Sequence, residues 1–419
     1  MDKPVVGIDA MAFAGPECFV EMAALADARG VDPNKYIKGI GQRQMAVATP
    51  CEDTVTLAAE AGRKALEAFG IDPAEIGTLV VGTETGVDHS KPSAVYVHEL
   101  LGLPARCRTF ETKHACYGAM AGLTAAMDWI LSGRAKGRKA LIIASDIARY
   151  GVNTPGEPTQ GAGAVAMVIS ENPRLLALDA DLSGDFTKQV MDFWRPLYSK
   201  YAQVDGHYSI DCYLEALEGC LDHASEQLSE DANQGKPFQI GELDACLYHV
   251  PFTKMAKKAH HRHRETELGD RVSREDPRMA DILGSYGAKV SPFLSLNERV
   301  GNIYTGSVFL AMIDFLRQLG PEHAGQRLSL FSYGSGSGAA LMFAEVVQGA
   351  GDWSATLDPT AELDARRALS IADYEALCAA SEEADLNNSE MADPARWGLG
   401  SGLFYTGTVD HQRRYARIG

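Results

Sequence analysis

No two cysteines in this chain are spaced CxxC. The eight it has, at 18, 51, 107, 116, 212, 220, 246 and 378, are scattered, which points to neither a zinc knuckle nor a disulfide framework and leaves most of them as reduced, buried residues. No apolar run approaches the roughly 20 residues that span a bilayer. The opening "MDKPVVGIDAMAFAGPECF" lacks a basic segment followed by an apolar one, so no secretory signal is expected and the cytoplasm is the expected location. Positive charge is in deficit: the net charge is −17, which disfavours nucleic acid and anionic membrane as partners of the whole molecule. There is no legible internal repeat and no extended low-complexity tail, so any duplication has to be structural.

What is present is an ordinary globular composition. Of 419 residues, 46% are hydrophobic and 23% charged, enough for a large core and for two folded units. Apolar runs at 77–83, 139–145, 163–170, 244–250, 328–333 and 339–347 read as buried strands. Between them lie stretches of helical spacing, such as Met120, Leu123, Met127 and Ile130 on one face of a helix. Strands alternating with helices predict an α/β protein with partly parallel sheets. The polar, glycine-bearing segment 179–189 marks the expected boundary, giving units 1–180 and 181–419. Residues 350–395 are acidic, and "SEEADLNNSE" (381–390) reads as a surface turn or loop beside a helix.

Several residues could carry chemistry. Cys116 follows the strand-like "CRTFE" and opens the small-residue helix of "ETKHACYGAMAGL". A helix N-terminus favours thiolate, although most isolated cysteines are simply core thiols. His249 ends the apolar run of "LYHVPFTKMAKKAHHRHR", where a strand-terminal imidazole can point into a cleft or serve as a hydrogen-bonded structural residue. The following Lys254, Lys257, Lys258, Arg262 and Arg264 form either a solvated helix face or a dock for phosphate. His260, His261 and His263 lack a third ligand of suitable type, and no metal is expected there. Asn302, in "ERVGNIYTGSVFLAMIDFL", is a capping residue or a neutral amide donor. "SYGSGSG" is a tight hairpin or a loop that aims N–H groups at an oxyanion. Glu84, in "VVGTETGVD", is a turn carboxylate. Cysteine, histidine and asparagine in that order fit a papain-like protease in outline, but its C-G-[SA]-C-[WY] signature is absent. The other class they admit is acyl transfer followed by carbon–carbon bond formation on thioesters.

The motifs "ETKHACYGAMAG", "YHVPFTKMAKKAH", "RVGNIYTGSVFLA", "SYGSGSG" and "FYTGTVDHQRRYARIG" closely resemble the hydroxymethylglutaryl-CoA (HMG-CoA) synthase family of the thiolase superfamily, from the first strand almost to the last residue. The resemblance implies a thiolase-like five-layer α-β-α-β-α fold of two similar halves, with the site between them, working as a homodimer. It implies that Cys116 takes an acetyl group from acetyl-CoA, that Glu84 removes a methyl proton, that His249 orients acetoacetyl-CoA and protonates the new alkoxide, and that Asn302 holds a substrate carbonyl. The backbone N–H groups of Cys116 and Ser335 would form the oxyanion hole. Asp146 and Asp192 would support the site, and Lys254, Lys258 and Ser307 would contact substrate or CoA. No cofactor is implied beyond the two acyl-CoA substrates. An alternative acceptor is a β-ketoacyl thioester on an acyl-carrier protein, as in polyketide β-branching. The Thr253–Lys254 pair and "GNIYTGS" favour free CoA and the mevalonate role, whereas the charged 260–280 stretch could meet an acidic carrier. A non-catalytic acyl-thioester-binding scaffold is the reading from a different class.

Overall fold

The apolar runs pair into one nine-stranded sheet in a computed structural model that describes residues 4–230, 239–386 and 393–419. In chain order its strands are β1 (Val6–Ala14), β2 (Ile76–Gly82), β3 (Arg108–Thr112), β4 (Lys139–Ala148), β5 (Gly161–Glu171), β6 (Leu176–Thr187), β7 (Ala245–Tyr248), β8 (Arg327–Gly334) and β9 (Gly338–Val346). Their spatial order is β7-β8-β9-β6-β1-β5-β4-β2-β3. The helices that matter here are α1 (Thr54–Ala68), α2 (Gly118–Leu131), α3 (Gly206–Glu230), α4 (Thr253–Leu268) and α5 (Ser307–Leu316).

The sheet repeats one pattern twice. In the first half β2 and β4 are parallel, and β4, β5 and β1 follow antiparallel. In the second half β7 and β8 are parallel, and β8, β9 and β6 follow antiparallel. The halves meet at β1 and β6, which share only the pairs Gly7↔Ala177 and Ile8↔Leu176. The segment 179–189, expected as a linker, is instead most of β6. It is polar because part of this strand faces solvent, and its alternating exposure is that of a half-buried strand.

Alternation along the strands also fixes the layers, since neighbouring residues point to opposite faces. A methyl group on Gly122 of α2 would stand against Val80 and Ile142, while one on Gly62 of α1 would meet Ile143, so α1 and α2 cover opposite faces. In the second half, Cys246, Tyr248, Phe331, Tyr333, Leu341 and Phe343 pack with residues of α3 and α4. The intervening Ala245, Leu247, Leu328, Leu330, Ala340 and Met342 share the main core with α5 and α2. The order is therefore outer helices, first sheet half, the buried pair α2 and α5, second sheet half, outer helices: five layers. In the acidic region the helix Ile371–Leu386 covers the first part of the expected loop at 381–390, and 387–390 lie outside the described residues. Among the described residues no helix is long and apolar enough to cross a membrane.

One glycine lets the first half carry a site. Gly82 closes β2, and a Cβ there would come within 2.3 Å of the Ala119 amide nitrogen at the start of α2. Backbone cannot yield as a flexible side chain does, so Gly82→Ala is expected to lower stability by about 3 kcal/mol, at the upper end of overpacking costs. By contrast, Gly284, exposed within the helix Met279–Lys289 with nothing near its missing Cβ, should gain about 0.5–1 kcal/mol when changed to alanine. Denaturant midpoints of the two variants check both signs.

Candidate active site

The strand and helix ends of the two halves point at one another. Glu84 lies just beyond the end of β2, and His249 just beyond β7, the counterpart of β2 in the second half. Cys116 lies ahead of α2, and Asn302 ahead of α5, the matching central helix. Four side chains are thus delivered by two copies of the same local architecture.

Cys116 occupies a single 3₁₀ turn, Ala115–Tyr117, that runs straight into α2. Ala115 sits in the left-handed region at φ 36°, and the Tyr117 amide closes the turn on His114 O at 2.7 Å. The second half braces this turn directly. Ser332 Oγ donates to Cys116 O at 3.2 Å, and Thr305 Oγ1 accepts from the Ala119 amide at 2.8 Å. Gly334, the last residue of β8, is pressed so close that a Cβ would lie 2.5 Å from Tyr117 Cβ and 2.8 Å from His114 O.

The electrostatics of the sulfur differ from the sequence expectation. Burial first, and then the charges of Asp146, Glu84 and Asp192, push the Cys116 thiol well above its ordinary value. The helix N-terminus does not offset three carboxylates in a dry site, so the resting group is a thiol rather than a thiolate.

Glu84 is held by its own backbone. Asp146 Oδ1 accepts from Thr83 Oγ1 (2.9 Å), Glu84 N (2.9 Å), Thr85 N (3.1 Å) and Thr85 Oγ1 (2.8 Å), which fixes the turn. Burial, reinforced by the Glu84 charge, raises Asp146 to about 7, and its Oδ2 is buried with no hydrogen-bond partner. Burial likewise raises Glu84, while Arg195 and Lys113 act in the opposite direction.

His249 is neutral. Burial alone lowers it to about 3, and its Nδ1 has no hydrogen-bond partner. Its backbone is pinned, with N donating to Phe331 O at 2.7 Å and O accepting from Tyr213 Oη at 2.9 Å. Asn302 both caps and faces the site: Oδ1 accepts from Tyr304 N at 2.9 Å and Ser307 Oγ at 3.2 Å, leaving the amide N–H₂ as its donor end. Tyr150 hydrogen-bonds to Asn302 and to Tyr304, and senses the charges of Cys116 and Glu84.

Asp192 organises the loop that carries Ser335. Its Oδ1 accepts from Gly336 N at 2.9 Å, and its Oδ2 from Tyr333 Oη at 2.8 Å and Ser209 Oγ at 3.0 Å. Ser335 thereby sits at the hairpin turn joining β8 to β9, with the His114 ring hydrogen-bonded to the carbonyls of Gly334 and Ser335. An open cavity of about 760 Å³ reaches this point, lined among others by Glu84, Lys113, His114, Ala115, Arg195 and Ser335.

The remaining sequence candidates fall elsewhere. Ser307 is fully buried, donates to Asn302 and accepts from Ile303 N at 3.1 Å, so it braces the asparagine from inside the protein rather than facing an open CoA channel. Lys254 is half-buried beside Glu298, and Lys258 is exposed, both on α4. Arg262 and Arg264 of the same run are paired with Glu218 and Glu265, and with Glu267, and are therefore face residues. His260 and His263 turn inward, their Nδ1 atoms 3.2 and 2.9 Å from Tyr248 Oη, and no group of three or more potential ligands among the described residues could hold a metal. Sequence reading passed over Tyr150, Tyr304, Thr305 and Arg195. Each lies within four residues of one already singled out: Tyr150 of Asp146, Tyr304 and Thr305 of Asn302, and Arg195 of Asp192.

Comparison with known proteins gives a consistent result. The profile described as hydroxymethylglutaryl-coenzyme A synthase N terminal matches residues 3–173, and its C-terminal counterpart matches 176–283 and 278–418. The chain is 39% identical over 394 residues to hydroxymethylglutaryl-CoA synthase of Enterococcus faecalis, covering 94% of this chain and 96% of that one. It superposes on the structure of MvaS in complex with 3-hydroxy-3-methylglutaryl coenzyme A with a TM-score of 0.92 and 45% identity, covering 100% of both chains. The curacin-pathway HMG synthase in complex with apo donor-ACP matches with a TM-score of 0.88 and 29% identity, over 99% of this chain and 100% of the other.

A protonated, half-buried Cys116 should be alkylated slowly. With iodoacetamide and peptide mapping, its labelling at pH 7 is expected to be slower than that of a free thiol of ordinary acidity, rising steadily beyond about pH 9. A rate already at its plateau near neutrality would contradict the charge environment described here.

Proposed function

Because the chain belongs to the hydroxymethylglutaryl-CoA synthase family, of thiolase-like fold, we propose that it condenses acetyl-CoA with acetoacetyl-CoA to give HMG-CoA and free CoA through an acetyl-S-Cys116 intermediate. What supports this is that a nucleophile, a carboxylate, a neutral imidazole and an amide lie just beyond matching strand and helix ends of the two halves, with the Glu84 charge acting on the Cys116 thiol.

The residues divide the work as follows. Cys116 attacks the acetyl carbonyl, the carbonyl oxygen turns toward the N–H groups of Cys116 and Ser335, and the thiol proton leaves with the departing CoA. Binding as a thioester keeps the methyl group acidic. Glu84 removes a proton from it, and the resulting enolate attacks the ketone of acetoacetyl-CoA. His249, uncharged, donates a ring N–H hydrogen bond to that ketone oxygen and passes the proton to the alkoxide it becomes, and the proton that Glu84 took from the methyl group returns through water to the imidazole, which resets both groups. Asn302 offers its amide N–H to a substrate carbonyl. Water then cleaves the thioester, returning the thiol and releasing HMG-CoA with a free carboxylate. Asp146 and Asp192 act on these steps by fixing the Glu84 turn and the Ser335 loop. Every step is acyl transfer, proton transfer, addition of an enolate to a ketone, or hydrolysis, so this reading calls on no cofactor beyond the two substrates.

Free CoA is the favoured acceptor, supported by Thr253–Lys254, by "GNIYTGS" and by the 45% identity to MvaS. Lys254 and Lys258 are the candidate phosphate contacts. The exposed Lys257 and Lys258 keep a carrier-protein acceptor as the second reading. A homodimer is part of the proposal, supported by the open edge of β3 at the end of the sheet, as is a cytoplasmic setting for a mevalonate-type role.

Mass spectrometry after mixing with acetyl-CoA is expected to show an acetyl adduct on Cys116, absent from Cys116→Ser. Glu84→Ala should acetylate yet lose condensation by roughly 10²–10⁴-fold, the range of a missing general base. Acetoacetyl-CoA should be consumed faster than an acetoacetyl carrier protein. Failure to form any adduct would leave an acyl-thioester-binding scaffold as the surviving reading.

A further inference from the structure

Apart from Asp192, the proposed steps leave the segment 188–204 without a role. It is tied to the Ser335 loop by Val190 N to Gly336 O at 2.8 Å and Ser337 N to Lys188 O at 2.8 Å. It then forms a two-stranded ribbon, Phe193–Trp194 against Gln203–Val204. Phe193 is anchored edge-on to Tyr304 and Tyr150, with ring centroids 5.9 and 6.4 Å away. From this anchored strand Arg195 reaches across to the other half of the protein. Its Nε donates to Glu84 Oε1 at 2.9 Å, and its Nη2 donates to the backbone carbonyl of the same Glu84. The guanidinium thus holds one residue by both its side chain and its main chain, a two-pronged contact that an ammonium group does not reproduce.

We infer that Arg195 is a positioning residue for the condensation step, holding Glu84 charged and aimed while leaving the capture of acetyl by Cys116 unaffected. This rests on the reaction proposed above. Glu84 is buried, and apart from Lys113 its other neighbours do not favour a negative charge: an ionised Asp146 on β4 opposes it, and the Cys116 thiol and the phenols of Tyr150 and Tyr304 are uncharged. Two cations face it, Lys113 from the β3–α2 connection and Arg195 from the ribbon. Of these, Arg195 is the one in ion-pair contact, with the Glu84 side chain only 8% exposed. A carboxyl that has already taken a proton cannot accept one from a methyl group. Without Arg195, burial and Asp146 would both drive Glu84 toward that inactive form.

The sign of the effect follows directly. Arg195 favours the ionised form, so its removal raises the pKa of Glu84 and moves the acid limb of condensation toward higher pH. With full-length enzyme, Arg195→Gln should acetylate Cys116 within about twofold of wild type. Its condensation with acetoacetyl-CoA should fall by about tenfold on the acid limb, where a displacement of about one pH unit reads as a tenfold change at fixed pH, and by less at higher pH. Arg195→Lys, which keeps the charge but loses the second prong, should recover part of the rate with a smaller displacement. Deuterium exchange into the acetyl methyl group of the acyl-enzyme gives the same comparison without the acceptor. An unmoved limb in the glutamine variant with normal acetylation, or a lysine variant indistinguishable from wild type, overturns the role of Arg195 and leaves the reaction intact. Absence of the acetyl adduct in the wild-type enzyme would instead overturn the reaction itself.

Discussion

Everything in the site depends on two backbones touching without a side chain between them. Gly334 at the end of β8 lies against the turn that carries Cys116, so closely that even a methyl group has no room. Gly82, at the end of β2, allows the same approach from the first half to the start of α2. The first contact crosses between the halves and brings a nucleophile next to a loop from the other half, and the second seats the nucleophile's helix on its own strand. Larger residues would hold the halves apart by about the length of a bond or more, and positioning errors of about 1 Å are costly in catalysis. The small residues around Cys116 therefore follow from the way the layers meet.

The same closeness makes the site dry, and dryness sets its electrostatics. Three carboxylates, a thiol and an imidazole share a region where charge is expensive. The structure responds by giving each carboxylate a different environment. Asp146 gathers four donors on one oxygen, Asp192 gathers donors on both, and Glu84 receives a guanidinium. His249, with burial as its sole perturbation, stays uncharged. Two groups built for support thus surround two built to exchange protons, and the distinction lies in who supplies the hydrogen bonds.

Much of this was legible in the residues. Strands read as continuous apolar runs because they are buried on both faces, which also made the α/β class and the central helices visible. Cys116, His249 and Asn302 stood out by residue type and position at element ends. Other features were hidden for physical reasons. β6 is polar where it faces solvent, so it reads as a linker although it joins the two halves. The charge state of Cys116 depends on carboxylates 30 or more positions away in sequence, and a helix terminus judged alone suggests the opposite. Arg195 meets Glu84 across 111 residues, a pairing that no local pattern encodes. Tyr150 and Tyr304 matter through hydrogen bonds that only the packed layers create.

Helix α1 shows how far the chain ties itself together. Asp53 caps α1 with one carboxylate oxygen, accepting from Thr56 N at 2.9 Å, a bond made entirely within its own turn. Its other oxygen accepts from Arg413 at 2.6 Å and from Tyr415 at 2.8 Å, 360 and 362 residues further on. On the ribosome the near half of that cap is complete almost as soon as it emerges. The far half has no partner until residues 413 and 415 have been made, so their hairpin acts as a clasp on a helix laid down some 360 residues earlier.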